Sequence, residues 1–176
     1  IQDGSIIESN SRMFENMAIE QGAVAVRYPI LEDVYETIRD AVKDAIAVSD
    51  MVIINAGSSA GRDDYTVHVL RELGEVLVHG VAIKPGKPVI LAIVEGKPVI
   101  GLPGYPVSAY IAFENFVAPV LAMMGQRVLH EDYEAKAVLS KRLVSSLKHK
   151  EYVRVKTGMV GDKMIAAPLA RGAGAA

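Results

Sequence analysis

The stretch MVIINAGSSAGRDDYT, residues 51 to 66, decides how the rest of the chain is read. MVIIN (51 to 55) is a short continuous apolar run bounded by polar residues, as in a parallel strand covered on both faces. The run gives way to Gly57, Ser58, Ser59 and Gly61, small residues that let backbone N–H groups approach a ligand closely. Asp63 and Asp64 then open DDYTVHVLREL (63 to 73), whose apolar spacing is helical and which stops at Gly74. A buried strand, a small polar loop and a helix form the repeating unit of an α/β domain.

The same alternation extends in both directions. Ser9, Asn10 or Ser11 can cap a helix running to about Gln21, with Gly22 as its stop. AVAVRYPI (23 to 30) reads as a buried strand, and Leu31 to Val48 as a helix with Val34, Ile38, Ala41, Val42, Ala45 and Ile46 on one face. After Gly74 come extended EVLVHGVAI, the punctuation KPGKP, strand VILAIV, turn EGKP and strand VIGL. PGYPVSAYIAFENFVAPVLAMMG follows, with Pro106 as a first helical residue and an end near Met124. The short loops predict a three-layer α/β/α domain with a mostly parallel sheet over 1–126. From Arg127 on, YEAKAVLSKRLV, KEYVRVKTGMV and DKMIAAPLA read as β segments, predicting a small, incomplete all-β domain over 127–176.

Bulk properties bound the function. Hydrophobic residues make up 51% and charged residues 23%, a globular balance. No apolar run is expected to approach the ~18 residues of a membrane span, so membrane partners are not expected. Cysteine is absent, which excludes disulfides, thiolate catalysis and Cys-ligated zinc and fits a reducing, cytoplasmic setting. Residues 1–126 carry 9 Lys/Arg against 16 Asp/Glu, and residues 127–176 carry 10 against 5. The basic part is not dense enough for a nucleic-acid patch. The start at Ile1, without a leader, suggests a piece of a longer protein.

In open α/β sheets, ligands gather at the carboxyl ends of strands. Two loops here leave such ends for helices: NAGSSAGRDD, and LPGYPVS (102–108) with Pro103, Gly104, Pro106 and Ser108. KPGKP lies between them and fixes Lys84 and Lys87 in a stiff turn. Helix N-termini and hydroxyls donate to anions, and a carboxylate beside phosphates points to Mg²⁺. Taken singly, each loop is more often a plain connection, and Asp63 is by default a helix cap. Tyr65 and Tyr105 are by default packing residues, and His68 and His79 are isolated. Three such loops in the order of neighbouring strand ends favour an oxyanion or phosphate site. A P-loop and a GxGxxG fingerprint are both absent.

The combination GSSAGRDDYT, LRELGEV, VAIKPGKPV and GKPVIGLPGYPVSAYIAFENFVAPVL resembles the molybdopterin molybdotransferase family, that of MoeA and the gephyrin E-domain. ESNSRMF near the start and PLARGAGA near the end match that family in position. The resemblance covers residues 5 to 125 closely. It implies a MoeA/MogA-like fold followed by a small β domain. It also implies insertion of molybdate into adenylylated molybdopterin, with loss of AMP and involvement of Mg²⁺. On this resemblance Asp64 is the functional aspartate and metal ligand, and Lys84 and Lys87 are its cationic partners. Gly57, Ser58, Ser59, Gly61, Pro103, Gly104, Pro106 and Ser108 fall on the cofactor-binding loops. A homodimer and further N-terminal domains are implied as partners.

Departures from the family pattern are local. Arg62 stands where a glutamate is usual, Gly80 where some members carry a basic residue, and Tyr105 where an asparagine is usual. They leave an alternative: a non-catalytic pterin- or oxyanion-binding or regulatory module of the same descent.

Overall fold

The computed structural model describes residues 8–56, 65–128, 134–145 and 147–169. The first described element is α1 (Asn10–Glu20), whose Phe14, Met17 and Ala18 recur at helical spacing and are buried. Ser9 occupies the N-cap position, but its side chain makes no capping hydrogen bond. The Glu8 carboxylate accepts the Ser11 backbone N–H at 2.8 Å and the Ser11 hydroxyl at 2.6 Å. A helix stop falls at Gly22, with φ +81°.

Helix α2 (Tyr35–Val48) buries Val42, Ala45 and Ile46. It is followed by β1 (Val52–Ala56) and α3 (Tyr65–Leu73). The strands β2 (Gly74–His79), β3 (Ile83–Lys84), β4 (Ile90–Val94) and β5 (Lys97–Pro103) come next. One helical stretch follows as α4 (Pro106–Ala112), a π-turn (Phe113–Val117) and α5 (Ala118–Met124).

The main sheet has the order β1-β5-β4-β2, with helices on both faces. Alternation along the strands assigns the faces. Ile100 and Leu102 of β5 pack with Phe14, Met17, Ala109, Ala112, Phe113 and Val117. Val99 of β5 and Ile90, Ala92 and Val94 of β4 pack with Val42, Ile46, Val67, Val69 and Leu70. Each of the Val, Leu, Ile, Phe and Met side chains among them contributes roughly 1.5–3 kcal/mol by leaving water. The α/β class and its three layers are therefore as the sequence implies.

Three details differ. The sheet is mixed rather than mostly parallel: β1 pairs β5 in parallel, while β4–β5 and β2–β4 are antiparallel. For β4–β5 the cause is the EGKP turn, where Glu95 (φ 51°) and Gly96 (φ 77°) form the primed two-residue turn that joins antiparallel strands. Residues 23–30 form no strand and enter no ladder among the described residues, with Val24 96% and Val26 75% exposed. They lean on α1, through the Arg27 guanidinium on Glu15 (3.2 Å) and Ser11 (3.3 Å). An open cleft of 1010 Å³ lies between them and the α2/β1 side. The apolar run suggested a buried strand, but composition alone does not specify a pairing partner, and here there is none among the described residues. Finally, the stretch Pro106–Met124 is 19 residues long and apolar enough, by length and composition, to cross a membrane. This corrects the expectation that no stretch reaches that length. Glu114 and Asn115 interrupt the run without making the stretch polar, and Ala109, Ala112, Phe113 and Val117 place it against β5 and α1 as a core helix.

Beyond residue 127 the described strands are β6 (Val138–Leu139), β7 (Lys150–Glu151), β8 (Val155–Val160) and β9 (Lys163–Pro168). Strands β6, β9 and β8 form a small sheet, and β7 pairs in parallel with β3 of the α/β unit.

Candidate functional site

The parallel register of β1 and β5 sets Asn55 opposite Leu102 and Ala56 opposite Pro103. Both strands therefore end at one corner, and the chain leaves each end toward a helix. Asn10, the first residue of α1, closes this corner. Its position four residues before Phe14 puts it on the buried face, and it is only 3% exposed. Its Nδ2 donates to the Gly104 carbonyl at 2.7 Å and to Asn55 Oδ1 at 3.2 Å. Asn55 Nδ2 in turn donates to Glu8 Oε1 at 3.2 Å. The start of α1, the end of β1 and the approach to α4 are thus tied by side-chain amides. Burial pushes the Glu8 carboxyl upward. The Ser11 hydroxyl and amide, the Asn10 amide and the Arg27 charge outweigh it, so Glu8 sits below the usual carboxylate range.

The KPGKP loop arrives at the same helix start. Val81 and Val89 both donate their N–H groups to the Lys87 carbonyl at 2.9 Å, which closes the loop on itself. Gly86 is buried at its tip with φ +112°. A Cβ there would lie 2.9 Å from Ile83 Cδ1 and 3.4 Å from the Ser108 carbonyl oxygen. Only glycine combines that backbone with that contact. The tip therefore rests on the first turn of α4, with Lys84 and Lys87 exposed beside it.

Among the anticipated residues, Lys84, Lys87, Pro103, Gly104, Pro106 and Ser108 belong to two loops in contact. Pro103 and Ser108 are buried, Gly104 and Pro106 are half-buried, and Tyr105 projects at 57% exposure. Gly57, Ser58, Ser59, Gly61 and Asp64, together with Arg62, lie outside the described residues. Gly80 has φ +89° and donates to the Val89 carbonyl at 2.8 Å. His68 and His79 are exposed, and Tyr65 packs edge-on against Tyr35.

Among the described residues no group of three His, Asp or Glu could hold a metal ion. The carboxylate of this corner, Glu8, is engaged by Ser11 and Asn55. The described residues thus supply no cluster that would hold Mg²⁺. Chemically the corner offers two exposed cations and a helix start, a setting that attracts an oxyanion.

The sequence reading missed Glu8, Asn10 and Asn55 as a unit. The signal was available for Asn10: a polar residue at the i−4 position of a buried helical face.

A family model described as a probable molybdopterin binding domain matches residues 1–123. The chain is 39% identical over 154 residues to a provisionally named molybdopterin biosynthesis protein of Methanocaldococcus jannaschii, covering 88% of this chain and 37% of that one. It is 29% identical over 170 residues to the molybdopterin molybdenumtransferase of Bacillus subtilis, covering 96% of this chain and 40% of that one. The crystal structure of a molybdopterin biosynthesis MoeA protein from Pyrococcus horikoshii matches with a TM-score of 0.80 at 34% identity, covering 99% of this chain and 41% of that one. The chain spans about two fifths of the length of these relatives. The family match takes in 123 of the 176 residues, and the chain belongs to the molybdopterin-binding domain family as a MoeA-like member.

Proposed function

We propose that this chain is the substrate-binding part of a molybdopterin molybdotransferase acting in molybdenum cofactor biosynthesis. The observation that supports the proposal is the close approach of the Gly86 tip, between the two lysines in sequence, to the Ser108 carbonyl in the first turn after β5. Adenylylated molybdopterin and molybdate are the substrates in this reading. Both are oxyanions, and insertion of the metal into the dithiolene releases AMP. Lys84 and Lys87 neutralise phosphate or molybdate charge. Gly57, Ser58, Ser59 and Gly61 contribute close backbone and hydroxyl donors, and Pro103, Gly104, Pro106 and Ser108 form the second binding loop. Asp64 is the proposed ligand of Mg²⁺, which usually takes one or two protein carboxylates and completes its shell with phosphate oxygens and water. Catalysis is completed in a homodimer with the further domains of a full-length protein.

The test is anaerobic binding of molybdopterin, followed by cofactor formation with the full-length protein, Mg²⁺ and molybdate. Lys84→Ala should weaken binding about ten- to a hundredfold, the effect of losing one charged contact. Asp64→Asn should lower turnover and raise the Mg²⁺ concentration it needs, with folding intact. Wild-type affinity and turnover in both variants would sink the assignment. Binding without turnover in the wild type would leave the non-catalytic module.

A further inference from the structure

We propose that Tyr152, outside the family match, is a positioning residue for Lys84. The proposal rests on the anion-corner reading above. Strand β3, which carries Lys84, has no place in the main sheet. Its ladder is with β7, where Ile83 lies opposite Lys150 and Lys84 opposite Glu151. The Lys150 N–H donates to the Ala82 carbonyl and the Tyr152 N–H to the Lys84 carbonyl, each at 2.8 Å. The backbone of Lys84 is therefore held from the C-terminal strands rather than from its own sheet.

A two-residue ladder frays unless something anchors it. Here the anchor is the Tyr152 ring. Its hydroxyl donates to Asn115 Oδ1, and Asn115 Nδ2 donates to the Ile111 carbonyl at 2.7 Å, which fixes the amide's orientation. Asn115 lies within the π-turn Phe113–Val117, a distortion that occurs frequently at functional sites. The Lys150 ammonium stands 5.0 Å from the centre of the Tyr152 ring.

The lysine loop thus meets one helical stretch at two points. The Gly86 tip lies over Ser108, where a Cβ would stand 3.4 Å from the carbonyl oxygen, and Lys84 is held to the stretch through Tyr152 at Asn115. Contact at Ser108 alone leaves the loop free to pivot. The second contact sets the angle at which Lys84 faces the corner. Tyr152 touches no substrate in this account and acts through Lys84.

A double-substitution cycle in the full-length protein tests this, with purified molybdopterin as the probe. Tyr152→Phe should raise the dissociation constant about tenfold with an unchanged melting temperature, and Asn115→Leu should do the same from the helix side. Tyr152→Phe added to Lys84→Ala should bring no further loss, because the residue being positioned is gone. Losses that multiply, or a Tyr152→Phe variant with wild-type affinity, overturn the proposal. Amide exchange at Gly80, Val81 and Val89 provides a second reading, in which Tyr152→Phe should accelerate exchange. If the wild type binds no molybdopterin, the functional reading falls and exchange alone decides. Unaltered exchange then overturns the positioning role as well.

Discussion

The α/β unit and the C-terminal strands are built on different terms. The first has two buried clusters, one on each face of its sheet. In the second, every residue of β8 is exposed and Ala166 is the buried apolar residue among those described. The small sheet β6-β9-β8 is organised by backbone pairing with little apolar burial beneath it. Its neighbour β7 is tied to the α/β unit by main-chain bonds to Ala82 and Lys84 and by one tyrosine hydroxyl. Burial makes a unit stable by itself, whereas directional bonds place one unit against another.

Substitutions should break this contrast in order of size. Phe113→Ala has the largest expected effect. The ring is fully buried and stacks on Phe14 at 5.8 Å, so its loss should cost about 3–5 kcal/mol in chemical denaturation. Asn10→Ala removes no large apolar volume, but it leaves the Gly104 carbonyl and Asn55 without their donor. About 1–3 kcal/mol is expected, together with weakened molybdopterin binding. Glu8→Gln gives a smaller, pH-dependent effect. Glu8 is depressed in the folded chain, so its contribution is full above the unfolded value near 4.5 and lost as pH falls through the lower folded value. The stability curves of wild type and Glu8→Gln should therefore separate at neutral pH and converge in acid. Met159→Ala, on exposed β8, should shift stability by no more than about 0.5 kcal/mol. A Met159 effect as large as that of Phe113 would show that the C-terminal sheet has a buried face of its own.

Much of the architecture was legible in the sequence because periodicity reports burial. Phe14, Met17 and Ala18, or Val42, Ala45 and Ile46, declare a helix face directly. The punctuation was legible too, since Gly22, Gly86 and Gly96 adopt positive φ. Pairing was less legible. Residues 23–30 have the composition of a strand, but no local pattern states where a ladder partner lies. The direction of β4 against β5 was encoded in EGKP, a turn that favours antiparallel return. For the site, the lysine and proline loops were visible as motifs. Their contact through Gly86 and Ser108 is a tertiary fact, as is the Tyr152–Asn115 link across 37 residues.

The Glu8–Ser11–Asn10 arrangement also bears on how the corner ages. An asparagine followed by serine loses its amide when the serine backbone nitrogen attacks the side-chain carbonyl and closes a succinimide ring. Here that nitrogen lies within a helix and donates to Glu8 at 2.8 Å, pointing away from the reaction. Were Asn10 converted to aspartate, a carboxylate would face the Gly104 carbonyl and Asn55 Oδ1, acceptor against acceptor, where Nδ2 now donates to both. The carboxylate that starts α1 thereby also shields the neighbouring amide from the spontaneous chemistry that would undo it.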